Sequence, residues 1–168
     1  KWNGSAWIRH SSGTAVRLYD VWGTDANNVW AVGDNGTILK WNGSAWIPQS
    51  SGTTKRLLSV WGTDANNIWA VGGGLGGAIV KWNGSVWSAQ STAEQLGGLW
   101  GTDANNVFTK EPYGLLRRWN GSRWHDQGLI TKGVRDLWGM DSSNVWAVGD
   151  NGLILNWDGS SWNIQGRD

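Results

Sequence analysis

The stretch NNVWAVGDNGTILKWNGSAW, residues Asn27 to Trp46, decides the fold. Short segments rich in Val, Ile, Leu and Trp alternate in it with the turn sequences Asp-Asn-Gly and Asn-Gly-Ser. The Asn-Gly pairs at 35–36 and 42–43 predict hairpin turns of type I′, because both central residues of that turn need a positive φ, which Gly and Asn tolerate. No window has helical spacing of apolar residues without a Gly or a turn cluster breaking it. The stretch therefore predicts antiparallel strands.

The same unit recurs along the 168-residue chain. The string WGTDANN, or its looser copy WGMDSSN, begins at Trp22, Trp61, Trp100 and Trp138. Residues 1–33 match residues 40–72 at 26 of 33 positions. In the first unit, the predicted strands are 17–23, 29–33, 37–41 and 45–48. A repeat of about 40 residues with four strands is the signature of a β-propeller blade.

Composition narrows the function classes. The chain has 17 Trp but only 1 Phe, 2 Tyr and 1 Met, an imbalance that repeat copying explains. It has no Cys, which excludes disulfides, thiol catalysis and Cys-based zinc sites. A net charge of +1 with 16% charged residues predicts no nucleic-acid partner. No apolar run approaches the length of a spanning helix, so we expect no membrane partner.

These patterns predict an all-β fold, a β-propeller of four-stranded antiparallel blades with four blades in the chain. The first strand of each blade is expected nearest the axis, since it is apolar on both faces. The predicted segments are 1–16 (a surplus outer strand and linker), 17–49, 56–90, 95–127 and 134–165. Four copies of the first-strand Trp stand against five of W-(N/D)-G-S-x-W. We therefore expect two chains to complete an eight-bladed ring as a homodimer; the alternative is a four-bladed monomer.

The stretch quoted above resembles the repeats of the photosystem II stability/assembly factor and of BNR/Asp-box propellers. The segments WNGSAW, WNGSVW, WNGSRW and WDGSSW are similar to the Asp-box hairpin, and the likeness spans nearly the whole chain. In those propellers the box is a structural turn, so the resemblance implies a fold and not sialidase activity. This chain departs from the box, whose Asp is present only at Asp158; Asn replaces it at Asn3, Asn42, Asn83 and Asn120.

Catalytic and metal-binding chemistry finds little support in the sequence. Asp25, Asp64, Asp103 and Asp141 occupy a repeated turn, where hydrogen bonds to the local backbone are expected. Glycoside hydrolysis needs two carboxylates at a defined separation, and Glu94 and Glu111 lie in unlike contexts. His10 and His125 lie at different offsets from their nearest Trp, which argues against a shared metal site. We predict a protein that is not an enzyme and has no metal and no cofactor.

Binding is the stronger functional hypothesis. Trp faces stack on sugars, and the outer Trp residues are candidate stacking platforms: Trp7, Trp46, Trp87, Trp124 and Trp162. The third unit has diverged most, reading VFTKEPYG where the others read VWAVG. Its candidate residues for a unique contact are Tyr113, Arg117 and Arg118.

The sequence thus predicts an interaction or assembly scaffold that binds itself, with a multivalent carbohydrate-binding lectin as the alternative. Its further partner would be a protein or a glycan. An origin in a bacterial exported or surface protein is favoured, with an extracellular or periplasmic location.

Overall fold

A computed structural model that describes residues 1–111, 114–129 and 133–166 confirms the all-β, four-bladed prediction. Four separate antiparallel sheets each contain four strands that neighbour one another in chain order. Blade 1 contains β1 (Leu18–Asp25), β2 (Asn28–Gly33), β3 (Ile38–Trp41) and β4 (Trp46–Gln49). Blade 2 contains β5 (Leu57–Asp64), β6 (Asn67–Gly74), β7 (Gly76–Trp82) and β8 (Trp87–Thr92). Blade 3 contains β9 (Leu99–Asp103), β10 (Asn106–Lys110), β11 (Leu115–Trp119) and β12 (Trp124–Leu129). Blade 4 contains β13 (Val134–Asp141), β14 (Asn144–Gly149), β15 (Ile154–Trp157) and β16 (Trp162–Gly166).

The two predicted Asn-Gly turns fold differently. Between β2 and β3, Asn35 and Gly36 have φ of 57° and 69°, which confirms the type I′ prediction. Between β3 and β4 the prediction is wrong, because only Gly43 has a positive φ there, of 100°. Asn42 instead accepts hydrogen bonds through its side-chain Oδ1 from the backbone N–H groups of Ser44 and Ala45, at 3.0 and 2.9 Å. The Asn side chain thus builds this turn without a left-handed backbone.

The repeated Asp-Ala-Asn-Asn turn joins the first two strands of a blade through its carboxylate. Asp25 Oδ1 accepts hydrogen bonds from the backbone N–H groups of Asn27 and Asn28, at 2.8 and 3.1 Å. The Asn27 N–H contributes most to holding the pKa of Asp25 below its usual range. The indole N–H of Trp41 donates to the carbonyl of Ala26 in the same turn, at 3.1 Å. These side chains are structural, and the predicted local hydrogen bonds are confirmed.

Neighbouring blades pack large side chains against small ones. Trp30 of blade 1 lies in one buried cluster with Val60 and Ala70 of blade 2. A second cluster joins blades 2 and 3 around Trp69, and a third joins blades 3 and 4 around Phe108. The first strands of successive blades contact each other, as expected for strands that line the inner edge of a propeller.

The segment before blade 1 lies on that blade. Trp2 and Trp7 form an isolated antiparallel bridge, which makes residues 1–9 a short N-terminal hairpin. The Lys1 side chain donates to the carbonyl of Ala26 at 3.2 Å, and the ring of His10 lies edge-on to Trp41 with centroids 4.8 Å apart. The hairpin therefore covers part of the side of blade 1 that faces away from blade 2.

Candidate interaction surfaces

One side of blade 4 is exposed, although its sequence nearly matches that of a buried side of blade 1. The stretches 28–41 (NVWAVGDNGTILKW) and 144–157 (NVWAVGDNGLILNW) differ at only 2 of 14 positions. Trp30 is 0% exposed, whereas its counterpart Trp146 is 37% exposed. Val148 is 47% exposed, against 0% for its counterpart in blade 1. Blade 2 covers this side of blade 1, and none of the residues that the structure describes covers it on blade 4. We call the surface formed by Trp146, Val148 and Ile154 the blade-4 face.

The opposite side of blade 1 is covered only in part, by the N-terminal hairpin and His10. Val21 on β1 is 60% exposed, whereas its counterpart Val60 on β5 is 4% exposed because blade 1 packs against it. The loop that leads into each of these strands carries the sequence Ser-Ser-Gly-Thr, at residues 11–14 and 50–53. We call Val21 together with the loop 11–14 the blade-1 face. The array of four blades thus has exposed apolar side chains on both of its outer sides.

Each of the three junctions inside the chain places a Trp against a Gly of the next blade. A Cβ atom on Gly62, Gly101 or Gly139 would lie only 2.6 to 2.8 Å from the indole of the preceding blade's first-strand Trp. Only Gly permits this approach, which explains the repeated Trp-Gly pair. The fourth such Trp, Trp138, is exposed.

The loop between blades 1 and 2 closes tightly over the Asp-Asn-Gly turn of blade 1. A Cβ on Gly36 would overlap the carbonyl oxygen of Thr53 in that loop. Gly77 has the same relation to the carbonyl oxygen of Glu94 at the next junction. Gly152 lies in an identical Asp-Asn-Gly turn with the same φ of 69°, yet a Cβ there would have no atom of the described residues within 4 Å. Among the described residues, no loop covers this turn of blade 4 as 50–53 covers that of blade 1.

Basic side chains fill the gap between aromatic rings at the junctions. Lys81 Nζ lies 5.0 Å from the centroid of Trp69 in its own blade and 4.9 Å from that of Trp119 in the next. Arg118 lies 5.4 Å from the Trp157 ring, across the next junction. Such contacts contribute about 0.5 to 2 kcal/mol each. The sequence patterns above do not predict this role, although a basic residue precedes the third-strand Trp in each of the first three blades.

The candidate stacking residues differ in exposure. Trp7 is 78% exposed, whereas Trp87 is 8% exposed, which leaves it little ring face for a ligand. Trp46, Trp124 and Trp162 are half-buried. In each blade the outer Trp pairs with the third-strand Trp, with ring centroids 5.4 to 5.8 Å apart. These pairs contribute to packing whether or not they also bind a ligand.

Two of the three candidate contact residues of the third blade, Arg117 and Arg118, have partners inside the chain. Arg117 forms ion pairs with Asp126 at 2.9 Å and with Glu111 at 3.3 Å. Burial raises the pKa of Glu111, and the Arg117 charge opposes that rise. Arg118 donates to the side-chain oxygen of Asn106 besides packing on Trp157. Tyr113 lies outside the described residues.

Within the described ranges, no group of three or more Asp, Glu and His side chains is placed to hold a metal ion. Nor does that part of the chain include a helix long and apolar enough to cross a membrane.

These features define the class of fold as β-propeller, and comparison with solved structures agrees. YCF48 from Cyanidioschyzon merolae is similar to this chain with a TM-score of 0.64 and 16% identity, over 92% of this chain and 57% of that one. A structure described as YCF48 bound to D1 peptide has a TM-score of 0.64 and 19% identity, over 92% and 55%. The computationally designed Ika4 protein has a TM-score of 0.67 and 16% identity, over 87% and 93%.

The chain therefore spans less than two thirds of either YCF48 structure and nearly all of the designed protein. At these identities the likeness establishes the fold alone. In sequence comparisons, no protein-family model and no curated protein matched the chain.

Proposed function

We propose that this protein is a non-enzymatic β-propeller scaffold that self-associates through its two end faces, two copies forming one eight-bladed ring. The observation that carries this proposal is the contrast between near-identical surfaces, which are buried inside the chain and exposed at its ends. Trp146, Val148 and Ile154 on one face and Val21 on the other are large apolar side chains with substantial exposure. Burying one such side chain fully contributes about 1.5 to 3 kcal/mol, so covering both faces favours association.

The assembled scaffold would then present its loops to a protein partner. A peptide is the partner that this proposal favours, since one structurally similar protein is described as bound to a peptide. Propeller rings suit this role because the inter-strand loops of successive blades gather on the two ring surfaces, where one partner can touch several blades.

Light scattering coupled to size-exclusion chromatography tests self-association. One chain has a mass of 18.4 kDa, and the proposal requires a species of twice that mass whose fraction rises with concentration. The substitution Val148→Asp places a charge on the blade-4 face and should abolish that species. The matched control Val86→Asp changes another exposed Val, in the β7–β8 turn far from both faces, and should leave association intact. A mass of 18.4 kDa at every concentration would refute the proposal.

Carbohydrate binding is the second candidate function, and one cavity favours it. A cavity of about 360 Å³ beside blade 1 is lined by Trp41, Trp46, His10 and Val21. Its mixture of indole faces and an imidazole suits a sugar ring. Calorimetric titration with the hits of a glycan array, comparing wild type with Trp46→Ala, tests this function. The absence of any array hit would reject it.

A further inference from the structure

We infer that self-association uses one heterologous junction, in which blade 4 of one copy packs on blade 1 of a second copy as blade 1 packs on blade 2 within the chain. This inference rests on the proposed function, because it requires that copies associate. It adds which surfaces meet and in what register. An interface of this kind joins two different patches, so two copies closing on each other contain it twice.

The sequences on both sides of the proposed junction are near copies of those at the internal junction. The β2–β3 hairpin of blade 1 and the β14–β15 hairpin of blade 4 share 12 of 14 residues. On the other side, residues 18–28 (LYDVWGTDANN) and 57–67 (LLSVWGTDANN) share 9 of 11. Since surfaces of nearly the same composition and backbone already fit each other inside the chain, the terminal pair is complementary in shape.

The contacts of the internal junction have counterparts at both end faces. Trp22 packs over Gly62 inside the chain, and the exposed Trp138 is positioned to pack over Gly23 of a second copy. The loop 50–53 closes over Gly36, and the loop 11–14 has the same sequence and an open counterpart at Gly152. Trp138 and the Gly152 turn of one face therefore have counterparts in Gly23 and the loop 11–14 of the other.

One contact changes its chemistry at the proposed junction. Inside the chain, Asp20 Oδ2 accepts hydrogen bonds from the Ser59 hydroxyl and the Val60 N–H, both at 2.9 Å. Between copies, Asp136 takes the place of Asp20, and Asp20 of the second copy takes the place of Ser59. Two carboxylates then face each other, and their repulsion opposes the apolar contacts. Positions 20 and 136 are thereby diagnostic, because this register brings them together across the two copies.

The N-terminal hairpin competes for the same place. Residues 1–9 (KWNGSAWIR) correspond to residues 40–48, the outer hairpin of blade 1, and to residues 156–164 of blade 4. The hairpin lies on blade 1 in this structure, where the Lys1 side chain donates to the carbonyl of Ala26. A docking blade 4 brings its own outer hairpin to that place and must displace residues 1–9.

Cysteine cross-linking tests the register, and the absence of native Cys removes any background. The single variants Asp20→Cys and Asp136→Cys are mixed and treated with a short thiol-reactive cross-linker. By random mixing about half of the pairs combine the two variants, and these should cross-link as two-chain species. Each variant alone should give none. The double variant Asp20→Cys/Ser59→Cys is the control for reach, since it should cross-link within one chain.

The outcomes separate this inference from the proposed function. If light scattering shows the two-chain mass for the mixed variants but the mixture does not cross-link, the register is wrong and self-association stands. Cross-linking of Asp20→Cys with itself would also overturn the inference, because it indicates a face-to-face interface between two blade-1 faces. If wild type and the mixture both remain single chains, the proposed function fails, and the junction fails with it.

Discussion

The two identical Asp-Asn-Gly turns allow one substitution to be compared in two environments. Gly36 and Gly152 have the same φ of 69° and the same preceding residues. Changing either to Ala forces a Cβ into the left-handed region, at a cost of about 1 to 2 kcal/mol. Only at Gly36 does the new Cβ overlap a backbone atom, the carbonyl oxygen of Thr53. Overpacking of this kind costs about 1 to 3 kcal/mol more.

Stability of the single chain should therefore distinguish the two variants. The difference of about 1 to 3 kcal/mol corresponds to a Tm that is about 2 to 12 °C lower for Gly36→Ala than for Gly152→Ala. Calorimetry at a concentration below the association threshold measures it. Equal Tm values would contradict the assignment of the Gly36 contact as a close fit.

Association should show the opposite ranking. At the proposed junction, a Cβ on Gly152 meets Thr14 of the second copy, and the ring contains this contact twice. The left-handed cost is present in single chains and in pairs, so it cancels, which leaves a loss of about 2 to 6 kcal/mol for the pair. That loss raises the dissociation constant by about 30-fold to about 10⁴-fold. Analytical ultracentrifugation measures this constant. A dissociation constant for Gly152→Ala equal to that of wild type would refute the reasoning.

Three further outcomes are expected from the N-terminal hairpin, from Asp20 and from Asp158. Removing residues 1–9 should strengthen association in light scattering, because the N-terminal hairpin no longer competes; unchanged or weaker association would contradict the competition. Asp20→Ser should lower the dissociation constant at neutral pH, because it restores the residue of the internal junction and removes the carboxylate pair. A dissociation constant equal to that of wild type would show that the carboxylates of Asp20 and Asp136 do not meet. Hydrogen bonds lower the pKa of Asp158, and the one donated by the Ser160 hydroxyl contributes most. Its contribution to stability is therefore present above about pH 4 and lost as pH falls through the lowered pKa, so the Tm of Asp158→Asn should decline less than that of wild type below about pH 4. Parallel Tm curves would contradict this.

The repeat and its strands could be predicted because their signals are local. Strand formation follows from short apolar runs between turn residues, and the Asn35-Gly36 pair fixes its turn through backbone preference alone. The Asn42-Gly43 pair could not be assigned in the same way, because an Asn side chain can accept backbone hydrogen bonds instead of adopting a positive φ. The Asn-Gly dipeptide can therefore form a turn by two physical mechanisms. The type I′ prediction is right for Asn35-Gly36 and wrong for Asn42-Gly43.

The interaction surfaces could not be predicted from local sequence at all. Trp30 and Trp146 have the same neighbours in sequence, and only the presence of a following blade separates a buried core residue from an exposed one. Likewise, Arg118 was predicted as a unique contact residue because it differs from its counterparts. It occupies the same place between two rings as Lys81, so the substitution preserves a packing role.

The sequence of blade 4 agrees with the proposed junction between copies. Blade 3 lies between two junctions that the chain itself holds together, where the effective concentration of the partner blade is high and imperfect contacts are tolerated. It has replaced Trp by Phe at Phe108, and it has Gly98 where blade 1 has Asp20 and blade 2 has Ser59. The proposed interface between separate copies has no such tether and must supply the association free energy from its contacts alone. Blade 4 has kept Trp146, Val148 and Ile154 in the arrangement of blade 1, although all three are substantially exposed in the single chain. Exposed apolar side chains lower the solubility of a chain that remains single, whereas they stabilise one that associates, so their presence on blade 4 supports the proposed junction.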